Sequence, residues 1–332
     1  MADAAVTAAT STSADALLRR LEWTVLRRLD GLLQGDYRTL MRGAGLDLAD
    51  LREYQHSDDV RHIDWNVTAR LNQPHVRQFT EDRELTAWFL LDLSGSVDFG
   101  SLQRSKRAVS TEFVAVLARL LTRHGNRVGA LLYGNTVDAV LPARGGRGHV
   151  LNLLKRMHDF KPPDTTASTQ LSSLLQAAQQ IIPRRSMVFV VSDFISAPGW
   201  ADAMARLSQK HEVLAVRLFD PTEMDLPDVG WMTMQDAETG EQVLVDTADA
   251  GFRERFKALA EESESTLRSA LARAGVDTLE LSTDDDLVNT LMRFTDMRRA
   301  RSRLSGGASA AKSRHLPSGM NAHLQNSPGA TA

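Results

Sequence analysis

Three apolar runs constrain this chain more than any other feature: "AWFLLDLS" (87–94), "SMVFVVSDF" (186–194) and "EVLAVRLF" (212–219). None alternates polar with apolar. A strand with no polar face must be covered on both sides, which is the situation of a parallel sheet between helical layers. The stretches between the runs have helical periodicity. Over 102–124, Val109, Phe113, Val116, Leu117, Leu120 and Leu121 recur on one stripe, with Gly125 where a C-terminal cap belongs. "HVLNLLKRMHDF", "LSSLLQAAQQII", residues 199–210 and residues 248–274 read as further helices. "RVGALLYG" and "TVDAVLPA" form a hairpin turning at Gly134–Asn135, which adds one antiparallel edge strand. "WMTMQDAETGEQVLVD" forms a second hairpin, turning at Thr239–Gly240. The strand "DTLELS" and a helix over about 284–303 close the pattern. The expected fold class is α/β, a mostly parallel sheet flanked by helices.

Residues 14–34 carry Leu17, Leu18, Leu21, Val25, Leu29 and Leu32 at helical spacing, with arginines between them. A basic amphipathic helix could lie on a membrane surface. Glu22 and Asp30 interrupt its basic face, which favours packing on the chain's own domain. Residues 1–13 and 305–332 are small and polar and are expected to be disordered. The domain expectation is therefore a segment over 14–85 packed on a main domain over 86–304. The net charge of −3 favours neither a nucleic-acid binder nor a strongly acidic chain. With no cysteine, disulfides, zinc–thiolate sites and thiol nucleophiles are excluded. No leader pattern and no run of about 18 apolar residues occurs, so a soluble, cytoplasmic protein is expected, not a membrane-spanning one.

Ligands of α/β sheets collect beyond the carboxyl ends of strands. There the first run delivers Asp92, Ser94 and Ser96, side chains that share a face if extended geometry continues. The run at 186–194 delivers Asp193, and the loop "DTTASTQL" offers hydroxyls before a helix. Carboxylates and hydroxyls are hard ligands that suit Mg2+ or Mn2+ rather than zinc. The competing explanation is that Ser94 and Ser96 cap the next helix and Asp193 merely ends a strand.

Asp-x-Ser-x-Ser, a later Thr and a strand-end Asp together resemble the metal-ion-dependent adhesion site of von Willebrand factor A domains. The order of strands and helices is similar as well. The resemblance implies a metal site of Asp92, Ser94, Ser96, Thr169 and Asp193. Thr169 is matched through "STQL" to the family's Gly-Thr-Asp-Leu. Ser168 and Gln170 depart from that pattern, and Thr165 and Thr166 stay open as alternatives. Upstream, "LREYQHSDDVRHIDWNVTAR" (51–70) resembles the segment preceding the A-type domain in bacterial domain of unknown function family 58. Asp58, Asp59, Arg61, Ile63, Asp64, Trp65, Ala69 and Arg70 stand as that family has them. This implies a von Willebrand factor A-like fold with an N-terminal α+β extension. Within the extension, Asp58, Asp59 and Asp64 are expected to pair with Arg52, Arg61 and Arg70, and Trp65 to anchor a core.

The resemblance further implies a non-enzymatic, metal-dependent interaction module. A dication faced mainly by hydroxyls stays electrophilic and accepts a carboxylate from a partner protein. The implied partner is a MoxR-type AAA+ ATPase, with this chain as adaptor or co-chaperone in assembling a complex. The alternative is a metal-dependent phosphohydrolase using Asp92. Such enzymes need a second carboxylate two residues on, where this chain has Ser94. No Gly-x-Ser-x-Gly elbow surrounds Ser94. "ARGGRGH" (143–149) lacks the Lys-Ser/Thr of a phosphate-binding loop and is read as a loop. "RRARSR" (298–303) is read as a solvated helix end.

Overall fold

The computed structural model describes residues 50–55, 63, 65–78, 85–101, 104–161, 169–235 and 241–298. The elements are β1 (Asp50–Glu53), α1 (Trp65–Leu71), β2 (His75–Gln78), β3 (Thr86–Asp92), β4 (Gly100–Ser101), β5 (Arg104–Ser105), α2 (Lys106–Arg123), β6 (Arg127–Tyr133) and β7 (Val137–Arg144). They continue as α3 (Arg147–Asp159), α4 (Leu171–Ile181), β8 (Met187–Ser192), α5 (Trp200–Lys210), β9 (Glu212–Phe219), β10 (Trp231–Gln235), β11 (Gln242–Asp246), α6 (Ala250–Ala274) and β12 (Asp277–Ser282). The described part of a last helix, α7, covers 287–298.

The main sheet has six strands in the order β12-β9-β8-β3-β6-β7. All neighbours are parallel except β6 and β7. The chain thus starts in the middle of the sheet, builds outward through β6 and β7, then returns to the other side of β3 with β8. Between β3 and β8 lies the topological switch point, where a crevice opens above the carboxyl ends.

Successive side chains of β3 point to opposite faces. Ala87, Phe89 and Leu91 enter one core, with Phe113, Leu117, Leu153, Leu281 and Leu291. Trp88 and Leu90 enter the other, with Leu174, Leu175, Trp200, Leu207 and Leu271. Phe89 stacks on Phe189 at 5.0 Å between centroids, and Phe113 meets their edges at 6.4 and 6.1 Å. Each such buried side chain stabilises the fold by about 1.5–3 kcal/mol relative to exposure. On the opposite face, Trp88 lies over Gly129. A Cβ at that position would stand 2.7 Å from the indole, so β6 and the ring can approach this closely only because the residue is glycine.

The helix near 102–124 begins later than its periodicity suggests. Ser105 is its N-cap, its hydroxyl accepting the Ala108 N–H at 3.2 Å, so α2 starts at Lys106. A 3-10 turn (Gly95–Asp98) and the two-residue ladder of β4 with β5 come before it.

Upstream, β1 pairs antiparallel with β2, and α1 lies between them in sequence, which gives the α+β extension. Thr68 ties α1 to β2 by accepting the His75 N–H at 3.1 Å. Trp65 is no core anchor: it is 70% exposed and belongs to neither core. It stands at the first position of a helix of seven residues, one turn before the contact that holds that helix. The expected ion pairs of Asp58, Asp59, Arg61 and Asp64 lie outside the described residues. So do the helix over 14–34, the termini 1–13 and 305–332, and Thr165 and Thr166. Among the described residues no helix is long and apolar enough to cross a membrane.

Candidate metal centre

Asp92 is the last residue of β3 and Asp193 follows the last residue of β8, so the two carboxylates flank the switch point. Asp92, Ser94, Ser96, Thr169 and Asp193 are all buried. Asp92 is held on both oxygens: Oδ1 accepts the Ser94 N–H at 3.1 Å and Oδ2 accepts the Ser192 hydroxyl at 2.7 Å. The Ser94 and Ser96 hydroxyls lie 3.2 Å apart. Ser94 occupies the N-cap position of the 3-10 turn, yet its hydroxyl makes no capping bond. Helix capping therefore does not account for the serines.

Hydrogen bonds among the loops draw Thr169 to the same edge. Its carbonyl accepts the Ser196 hydroxyl at 2.8 Å and the Ala197 N–H at 3.0 Å, and Ser196 Oγ accepts the Leu171 N–H at 2.9 Å. Tyr133, at the end of β6, donates its hydroxyl to the Gln170 carbonyl at 3.1 Å. After β8 the backbone turns sharply. Phe194 adopts a left-handed φ of 61°, a conformation a bulky residue holds only when its surroundings over-determine it. Its N–H donates to Ser192 Oγ at 2.9 Å and its ring packs on Trp200 at 5.2 Å. Ser192, Ser196 and Tyr133 thus assemble the edge, although nothing in the sequence context of Ser196 and Tyr133 marks them.

Lys106 is the group that sequence reasoning missed. It is 1% exposed, and its Nζ donates to Asp193 Oδ2 at 2.8 Å and to Glu223 Oε1 at 2.7 Å. The other Asp193 oxygen accepts the Ile195 N–H at 3.0 Å. Glu223 belongs to a 3-10 turn (Pro221–Glu223) and also accepts the Asp220 N–H at 3.0 Å. Burial alone would lower the Lys106 pKa. Asp193 and then Glu223 reverse that, and the ammonium is held more firmly than in water. Asp92 is pushed from 3.8 up to about 6, first by burial and then by the charge of Asp193, with the Ser192 and Ser94 bonds opposing. A clue to Lys106 did exist in the sequence. A cation in the first turn opposes the helix dipole, and α2 has no acidic residue there to balance it.

The family described as "Protein of unknown function DUF58" matches residues 50–266. This chain belongs to the DUF58 family. The uncharacterized protein Rv1480 of Mycobacterium tuberculosis is 36% identical over 284 residues, covering 86% of this chain and 89% of that one. The uncharacterized protein MAV169 of Mycobacterium avium is 31% identical over 159 residues, 48% of this chain and 94% of that one. Solved structures that resemble it include the conserved hypothetical protein BatB of Bacteroides thetaiotaomicron, 13% identical with a TM-score of 0.43, covering 65% of this chain and 99% of that one. The SpRpn10 VWA domain is 13% identical with a TM-score of 0.36, covering 63% and 94%. The order and direction of the six main strands make this DUF58 chain von Willebrand factor A-like.

The residues at the carboxyl edge fit a hard dication in their chemistry. Oxygens bound at 2.0–2.1 Å in adjacent octahedral positions stand about 3 Å apart, and Ser94 Oγ and Ser96 Oγ are 3.2 Å apart. Among the described residues no three carboxylate or imidazole side chains converge as a metal cluster. Lys106 pairs with Asp193 and Glu223, while the charge of Asp193 raises the pKa of Asp92.

Proposed function

We propose that this chain is a non-enzymatic protein-interaction module whose carboxyl edge, loaded with Mg2+ or Mn2+, takes an acidic side chain from a partner protein. The observation that carries this reading is the arrangement at the switch point. Ser94 and Ser96 present adjacent hydroxyls that no helix cap uses, and the loops bearing Asp92, Thr169 and Asp193 are hydrogen-bonded to one another at the same sheet edge.

In this reading Ser94, Ser96 and Thr169 hold the metal through their hydroxyls. Asp92, whose oxygens accept the Ser94 N–H and the Ser192 hydroxyl, and Asp193, which accepts the Ile195 N–H, would act through bound water. The dication supplies a Lewis-acidic position that one further carboxylate can fill. A groove of about 700 Å3 opens beside Asp193, with Ile195 and Leu259 exposed at its rim, and offers room for the apolar neighbours of that carboxylate. The family resemblance suggests a MoxR-type AAA+ ATPase as the partner, with this chain serving as adaptor or co-chaperone in assembling a protein complex.

The test is capture of a purified MoxR-type ATPase by the full chain in Mg2+ and in chelator. Capture should require the metal and should fall at least tenfold for Ser94→Ala with Ser96→Ala, whose fold should be unchanged by circular dichroism. Capture that ignores both chelator and the double substitution refutes the metal bridge.

A further inference from the structure

Lys106 sits where a helix start normally favours anions. Its neighbour Arg107 resolves the same conflict outward, on Asp98 at 2.9 Å. Lys106 instead turns inward, with the Phe99 ring at 5.6 Å and the carboxylates of two different loops as its charged partners among the described residues. One of those carboxylates, Asp193, belongs to the proposed metal site. The other, Glu223, lies outside it, on the turn after β9, and is a quarter exposed. An ammonium and a dication that share a buried carboxylate repel each other, and little water lies between them to screen the repulsion.

We infer that Lys106 is a built-in competitor of the dication: it holds Asp193 in the metal-free state, and metal loading requires it to withdraw toward Glu223. This rests on the metal-bridged reading above and adds a control to it. The wild-type site binds a dication weakly by itself. A partner's carboxylate adds the negative charge that Lys106 offsets, so metal and partner load together. Glu223 gives the displaced ammonium a place to stay, which links the metal site to the turn at Pro221–Glu223. That turn is anchored in its own right by the Asp220 carboxylate, which accepts the Thr222 N–H at 2.9 Å and the Thr283 hydroxyl at 2.7 Å.

The experiment is calorimetric titration of the full chain with Mn2+ alone, for wild type, Lys106→Met and the double variant Lys106→Met with Glu223→Gln. The single variant leaves the buried Asp193 and the partly exposed Glu223 without their cation and so risks misfolding. The double variant removes one positive and one negative group and keeps the net charge of the Lys106–Asp193–Glu223 triad unchanged. Both variants, checked for folding by circular dichroism, should bind Mn2+ at least tenfold more tightly than wild type. If the single variant does not fold, the double variant decides. Equal or weaker binding in the folded variants overturns the role of Lys106 while leaving the metal-bridged reading intact. Failure of all three proteins to bind Mn2+ overturns both.

Discussion

Replacing Asp92 with asparagine keeps the shape of a fully buried side chain and removes its charge. In the folded chain this carboxyl holds its proton up to about 6, against 3.8 when free. At about 1.36 kcal/mol for each tenfold difference, that amounts to ~3 kcal/mol. Well below pH 3.8 the carboxyl is protonated in both folded and unfolded states, and its raised pKa makes no difference there. As the pH rises from 3.8 to about 6, the unfolded ensemble releases the proton first, so the wild-type fold loses stability. Above about 6 the loss is complete. Asparagine escapes it, but it turns an amide N–H2 toward Ser192, whose hydroxyl then loses its acceptor, at a cost of about 1 kcal/mol at every pH. In chelator, Asp92→Asn should therefore be about 1 kcal/mol less stable than wild type near pH 3 and about 2 kcal/mol more stable at pH 7.5. Urea denaturation across that range measures the difference. A gap between the two proteins that does not change with pH refutes the assignment of a costly buried charge to Asp92. Saturating Mn2+ at pH 7.5 should narrow or reverse the gap, because a cation bound at the site stabilises the ionised wild type more than the neutral variant.

Gly129→Ala should cost about 1–3 kcal/mol in denaturation experiments, because its Cβ has no room beside Trp88 and either β6 or the ring must move. Arg217 lies between Glu264 and Glu280, and Glu264 is 8% exposed. Arg217→Met should cost about 3 kcal/mol, toward the lower end for a broken buried pair, because Arg268 still reaches Glu264 at 2.8 Å. Adding Glu264→Leu should recover most of that loss, and a double variant no better than the single one would refute the pairing as its cause.

The sheet was legible because burial on both faces leaves a mark in every residue of a strand. "AWFLLDLS", "SMVFVVSDF" and "EVLAVRLF" became β3, β8 and β9, and all six positions of β8 are buried. Asp92 and the pair Ser192–Asp193 were legible for the same reason, as the first polar residues to follow such apolar runs. Trp65 was misread because aromatic bulk indicates burial only on average, and a helix of two turns need not present every large side chain to a core. The start of α2 was misplaced because apolar periodicity marks a face and not an end. The end is marked by one Ser105 hydroxyl bond, which several nearby serines could equally have made.

Lys106 was illegible for a deeper reason. Its partners are 87 and 117 positions away, on loops after two other strands, and no local pattern carries that distance. Topology brings the loops to one edge, and only then does the charge balance exist. The consequence for reading such sites is specific. A carboxylate–hydroxyl motif at a switch point identifies oxygens, but the affinity of those oxygens for a dication depends on every cation the fold delivers to the same edge. The one local clue is a lysine in the first turn of a helix that offers it no acidic neighbour. Once buried, such a lysine must find its counter-charge elsewhere, and at the carboxyl edge of this parallel sheet Asp193 supplies one.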